Sequence, residues 1–229
     1  MSGRPLDGAV ALITGATSEI GAATAQRLAR EGAAVALVAR QQNRLDRVAN
    51  DVRTLGGHAI AVPADITSPR LARQAVEDTH DRLGRLDILV NNAGVMVLGT
   101  ALHAPIADWD QMISLNVSAL LHVTHAAVPY LIDAAATSPR RVADLVNIGS
   151  TAGRVAQPGG SVHTLTRFGL TGFTESLRQE LRAEHIRVGV VQPGTEPVPP
   201  QDIADAIAYA VTRDRRVAVT EMVVRADQV

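Results

Sequence analysis

Short apolar runs alternate along this chain with longer stretches in which apolar positions recur every three or four residues. Val10–Thr14, Ala34–Ala39, His58–Pro63, Leu86–Asn91, Ala143–Ile148, Ile186–Gln192 and Val217–Val224 are short and dominated by aliphatic side chains. Runs of that length predict buried strands. Between them the helical period predicts helices over Ile20–Glu31, Gln42–Leu55, Pro69–Leu83, about Ala107 to Val128, Ser161–Glu184 and Gln201–Val211. Gly56–Gly57 reads as the stop of the second helix, and Ala134–Arg141 reads as a polar loop. Strands that are apolar on both faces need cover on both. The pattern therefore predicts an α/β fold, seven strands in one parallel sheet between two helical layers. Right-handed crossovers make that sheet doubly wound.

Composition narrows the picture. At 229 residues and 46% hydrophobic the chain can bury one large core, so residues 1–229 read as one domain. A net charge of −1 with both signs interspersed gives no electrostatic case for nucleic acid or an anionic membrane. Cysteine is absent, which excludes thiolate and disulfide chemistry. Met1–Gly8 lacks a signal-peptide pattern, and no apolar run reaches the roughly 20 residues of a membrane span. A cytoplasmic protein is the expectation. All 22 basic residues are arginine, so an arginine at any one position carries less information than usual.

Three stretches carry chemistry. Thr14-Gly15-Ala16-Thr17-Ser18-Glu19-Ile20-Gly21 joins the first strand to the first helix, where free N–H groups and the helix dipole would meet a pyrophosphate. Asn91-Asn92-Ala93-Gly94 ends the fourth strand. Ser150 is followed by His163 and Arg167, and Pro193-Gly194 closes the sixth strand.

Together these resemble the short-chain dehydrogenase/reductase superfamily, from about Leu6 to Arg225, and the resemblance implies a Rossmann fold. It implies cofactor contacts at Gly15, Thr17, Ser18, Ile20, Gly21, Asp65, Ile66, Asn92, Ala93, Gly94, Pro193 and Gly194. The middle glycine of the family's T-G-x-x-x-G-x-G is Glu19 here. A carboxylate there either crowds and repels the phosphates, weakening or abolishing cofactor binding, or points to solvent as a first-turn acid. Family members that prefer NAD hold an acid near the end of the second strand. Arg40 stands there instead and suits the 2′-phosphate of NADP(H).

At the reaction centre the resemblance assigns Asn116 to a water-linked proton relay and Ser150 to the substrate oxygen. The family's tyrosine and lysine fall at His163 and Arg167. Imidazole, with a pKa of about 6.5, exchanges protons at neutral pH without the tuning that a phenol at about 10 requires. A guanidinium keeps the cation but releases no proton, and it biases a neighbouring histidine toward the neutral base. The substrate-covering segment after Pro193-Gly194 is shortened, near 195–200. Either the cleft is open and wet, or a covering stretch lies outside the sequence in hand.

These residues suggest an NADP(H)-dependent carbonyl/alcohol oxidoreductase acting on a small molecule, with His163 as its acid. The alternatives are a non-redox isomerase, cyclase, dehydratase or lyase on the same fold, and a catalytically silent homologue. No histidine or carboxylate cluster has metal-ligand spacing. By resemblance the central helix and Ser161–Glu184 pair with their copies in a homodimer or homotetramer.

Overall fold

The computed structural model describes residues 3–194 and 196–227. Seven strands, β1 (Val10–Thr14), β2 (Ala34–Ala39), β3 (His58–Pro63), β4 (Ile88–Asn91), β5 (Ala143–Ile148), β6 (Ile186–Pro193) and β7 (Glu221–Val224), form one sheet in the order β3-β2-β1-β4-β5-β6-β7. Every pairing is parallel. Strand alternation divides the core in two. Ile13 and Leu37 face Leu28, Leu45 and Ile207 from α1 (Glu19–Arg30), α2 (Gln42–Thr54) and α7 (Pro200–Val211). Leu12, Leu89 and Leu145 face Val76, Val123 and Leu177 from α3 (Pro69–Leu83), α5 (Leu120–Thr137) and α6 (Ser161–Glu180). The doubly wound, Rossmann-like sheet expected from the sequence is the one observed.

Four element ends differ from the pattern by more than one residue. The fourth strand starts at Ile88, because the buried Asp87 turns its carboxylate onto the Val10 N–H (2.9 Å) and Arg85 (2.7 Å). The central helix runs from Ile106 through α4 (Ile106–Ile113), a π-helical turn (Ser114–Ala119) and α5 to Thr137, past the exposed Pro129. Ala134 and Ala135 pack on the sheet, so the first half of the expected Ala134–Arg141 loop is helix. The sixth helix ends at Glu180, and the last strand begins only at Glu221 because Val217 is exposed.

That central helix, Ile106–Thr137, is long and apolar enough by length and composition to cross a membrane, contrary to the expectation that no stretch is (mean hydropathy 1.3). In the fold much of this character is used in packing: Leu120, Val123, Ala127 and Leu131 are buried against the sheet.

Candidate functional site

The order of the sheet reverses at β1, which pairs with β2 on one side and β4 on the other. Connections leaving the carboxyl ends of such strands diverge and open a crevice. A cavity of about 1070 Å³ occupies it, lined by Gly15, Ser18, Ile20, Asn92, Ala93 and Gly94 at one end. Ser150, His163, Arg167, Pro193 and Gly194 line the other.

The first end is built from backbone. Gly15 has φ +62°, and a Cβ there would lie 2.8 Å from the Cα of Ala93; one on Gly21 would lie 2.4 Å from the Gly15 carbonyl oxygen. These glycines press the β1–α1 turn against the end of β4. Asn92 Nδ2 then stitches it, donating to the carbonyls of Thr14 (2.9 Å) and Gly15 (3.1 Å). Thr14 Oγ1 returns the contact by accepting from the N–H groups of Asn92 (3.0 Å) and Ala93 (3.1 Å). Ser18 caps α1 by accepting from Gly21 N–H at 3.1 Å, and Ala22 donates to the Ser18 carbonyl. Among the described residues the N–H groups of Glu19 and Ile20 have no protein acceptor, and they lie at the positive end of the helix dipole. The Glu19 side chain is exposed and does not line the cavity, which is the outward arrangement of the two considered.

The second end is built from side chains. Ser150 precedes a short 3₁₀ turn (Thr151–Gly153), and its Oγ accepts from Ala152 N–H at 3.1 Å. The hydroxyl proton is left to donate. His163, 5% exposed, and Arg167 lie one turn apart on α6. Arg167 Nη1 donates to the Ile148 carbonyl at 3.0 Å, and its Nη2 comes so close to Gly94 that a Cβ there would sit 2.8 Å away. Its Nε makes a long contact, 3.4 Å, to His163 Nε2. That contact needs the Nε2 lone pair, so the ring proton sits on Nδ1. Burial, and after it the charge of Arg167, holds His163 below its ordinary 6.5. Burial also pulls Arg167 down to about 10, which leaves it a cation at neutral pH. No carboxylate pairs with it among the described residues.

Not every sequence-selected residue reaches the cavity. Asn116 sits in the π-helical turn, 3% exposed, and is fully engaged. Its Oδ1 accepts from Val95 N–H (2.8 Å), and its Nδ2 donates to Val95 O (2.8 Å) and Thr166 Oγ1 (3.3 Å). It braces the segment after β4, and its side chain does not line the cleft. Gly21 lies beneath the turn, Thr17 is half-buried, and Arg40 is exposed just after β2; none of the three lines the cavity. Asp65 holds Thr67 through its N–H (3.1 Å) and Oγ1 (2.7 Å), and the Ile66 side chain is core, so neither contributes a side chain to the cavity.

Other lining residues escaped sequence reading. Arg225, just after β7, packs its Cγ where a Cβ on Gly194 would be 3.2 Å away, and Met96, Leu98 and Val155 form an apolar mouth. Arg225 follows no motif, and only the β6–β7 pairing brings it to the cleft. Thr195 lies outside the described residues; Glu196 lines the cavity, and α7 starts at Pro200, so the connection is short. No group of three or more metal-binding side chains occurs among the described residues.

Comparison with known proteins places these features in context. Residues 9–199 match the short chain dehydrogenase family. An uncharacterized oxidoreductase of Staphylococcus epidermidis is 31% identical over 94% of this chain and 96% of its own length. A metagenomic short-chain oxidoreductase solved in complex with NADP is 33% identical, with a TM-score of 0.90 over 98% of this chain and 99% of that one. A 3-ketoacyl-(acyl-carrier-protein) reductase from Brucella melitensis, complexed with NADH, is 28% identical, with a TM-score of 0.88 over 96% and 97% of the two chains.

Proposed function

This chain belongs to the short-chain dehydrogenase family, and we propose that it is an NADP(H)-dependent oxidoreductase interconverting a carbonyl and an alcohol, with His163 and Arg167 where the family's tyrosine and lysine stand. The observation that carries this reading is the convergence of the capped α1 N-terminus, Ser150, His163 and Arg167 on one cavity at the sheet's reversal point.

The residues present fit a dinucleotide. The glycine contacts at Gly15 and Gly21 remove side chains from the phosphate approach, and the N–H groups of Glu19 and Ile20, which have no acceptor among the described residues, would donate to the phosphates. Relatives of known structure hold either NADP or NADH. Arg40, after β2, favours the phosphorylated form through a charge-assisted fork. When bound, the nicotinamide supplies or takes up the hydride at the reacting carbon.

Every other step falls to the chain. Ser150 Oγ–H donates to the substrate oxygen and orients it. In reduction the imidazolium form of His163 delivers a proton to that oxygen; in oxidation the neutral ring removes one. The proton would enter or leave at Nε2, the ring nitrogen that carries the lone pair. Arg167, tied to Ile148 O, would hold the ribose of a bound cofactor with its cationic guanidinium. Asn116 holds the Val95 segment that walls the cleft.

Thermal shift with NADPH and NADH, followed by turnover of a panel of ketones, tests the proposal. Binding of NADPH at micromolar concentration with a raised Tm is the expected result; no shift with either cofactor overturns it. One observation favours a second reading. His163 is already a neutral base before any cofactor arrives, which suits isomerisation or elimination, and turnover without nicotinamide would establish that. Apolar side chains exposed on the central helix and α6 (Ile113, Leu121, Leu165 and Phe168) support self-association as a dimer or tetramer, with sedimentation as the check.

A further inference from the structure

A second cavity, of about 700 Å³, opens at the opposite edge of the sheet, where β5 and β6 begin and where α5 and α6 end. Its floor is apolar, from Ala135, Val142, Ile186 and Val188, and its walls are cationic. Arg141, Arg178, Arg182, Arg187, Arg215 and Arg216 line it, with His185 beside them and no aspartate or glutamate. Six arginines among thirteen lining residues contrast with 22 basic residues in 229 for the whole chain. The abundance of arginine therefore does not explain the cluster.

The six guanidinium groups fall into two sets. Arg187 is locked by Asp144 (2.7 Å) and by carbonyls of Val211, Arg213 and Val217; Arg178 is held by Glu175, and Arg216 by Asp214. Arg182 and Arg215 have no carboxylate within ion-pair distance and no side-chain hydrogen bond among the described residues, and Arg141 bonds only the Ala136 carbonyl. Like charges gathered in a concavity repel one another, and an anion with several acceptor oxygens relieves that repulsion while matching the guanidinium forks. The backbone points to the same place. The only two non-glycine residues with positive φ among those described are Arg141 (54°) and His185 (57°), and both line this cavity. Backbone held in that region clusters at ligand sites.

We infer that this cavity is a binding site, separate from the cleft, for a compact multivalent oxyanion such as a small molecule carrying several phosphate or carboxylate groups. Its volume falls within the range of small-molecule sites and is too confined for a nucleic-acid duplex. It does not depend on the oxidoreductase proposal.

Calorimetric titration of the full chain with tripolyphosphate, at physiological ionic strength, tests it. One saturable site per chain is expected, with the dissociation constant raised at least tenfold in the Arg182→Gln/Arg215→Gln double variant. Both side chains lie outside the hydrogen-bond network, so the variant should fold, and an unchanged circular dichroism melt confirms that it has. The single charge reversal Arg215→Glu should weaken binding as well. Arg225→Gln, at the cleft, should leave it intact. Equal binding by parent and double variant, or no saturable binding, overturns the inference. Loss of binding in Arg225→Gln alone would place the probe in the cleft and overturn it too, leaving the cofactor proposal standing.

Discussion

The two ends of the cleft are made of different materials. The α1 end is built from main chain: glycines that admit close approach, a capped helix N-terminus, and N–H groups with no protein acceptor among the described residues. The α6 end is lined by three side chains, Ser150, His163 and Arg167, the last anchored to the Ile148 carbonyl. Main-chain N–H donors do not depend on the side chain they carry, so the first end would tolerate the outward-pointing Glu19. Side-chain chemistry has no such tolerance. The imidazole of His163 and the guanidinium of Arg167 set the protonation equilibria that the second end can run.

The sharpest way to break this contrast is at His163. His163→Ala should lower turnover by about 10²–10⁴-fold with NADPH affinity unchanged, since a positioned acid or base contributes on that order. Steady-state kinetics beside a fluorescence titration separate the two effects; retained turnover removes the proposed acid. Its pH profile adds direction. Because burial and Arg167 lower the His163 pKa below 6.5, the imidazolium needed for reduction is scarce at neutral pH, so reduction should speed up on acidification. Oxidation, which needs the neutral ring, should already be on its plateau there. Stability moves oppositely. The folded state binds this proton less tightly than the unfolded chain, so the contribution is complete above 6.5 and is lost as pH falls through the lowered value. Denaturant midpoints across that window should decline toward acid, and His163→Gln should flatten the decline.

Next in size is the main-chain end. Gly21→Ala puts a methyl 2.4 Å from the Gly15 carbonyl oxygen and 2.8 Å from Ala16 Cα, both backbone atoms that cannot step aside. A cost of about 1–3 kcal/mol in stability is expected, as for other overpacked positions, with cofactor-induced thermal shift abolished. Chemical denaturation and a melt with NADPH measure the two; a variant that binds normally would show that the close approach at this turn is not needed.

This contrast also explains how much of the site could be read from the chain. The sheet was legible because aliphatic runs such as Val35–Val38 admit one reading, and Gly15 and Gly21 were legible because close approach demands glycine. What was not legible was anything decided by tertiary partners. That the Asn116 amide pairs with Val95 on both sides is not written in the residues around it. The Ala134–Thr137 segment looked like a loop because its alanines carry little periodic signal, yet burial of Ala134 and Ala135 keeps it helical. Arg225 and the arginines of the second cavity converge through β6–β7 pairing and the ends of α5 and α6, an arrangement invisible in linear order.

Arg40 gives a smaller and more selective effect. Removing a hydrogen bond to a charged group costs roughly 1.5–3 kcal/mol, so Arg40→Ala should weaken NADPH by about ten- to a hundredfold. NADH, which lacks the 2′-phosphate, should be unaffected. Parallel titrations check this, and equal weakening of both cofactors would move the phosphate reader elsewhere.

The smallest expected change is at Glu19, where the two properties of one carboxylate oppose each other. As a first-turn acid it stabilises α1 by interacting with the helix dipole, an effect of about 0.3–1 kcal/mol at an exposed position. As an anion near the pyrophosphate approach it repels the ligand, but an exposed side chain in water exerts little of that repulsion. Glu19→Gln should therefore lower the denaturant midpoint slightly while tightening NADPH by only a few-fold, and the tightening should fade with added salt. Replacement by glycine should bind no better than by glutamine, because an outward side chain takes no room from the phosphates. A Glu19→Gly variant that binds far more tightly than Glu19→Gln would mean that side-chain bulk, and not charge, governs this turn, and the tolerance ascribed to the main-chain end would fail at its most exposed point.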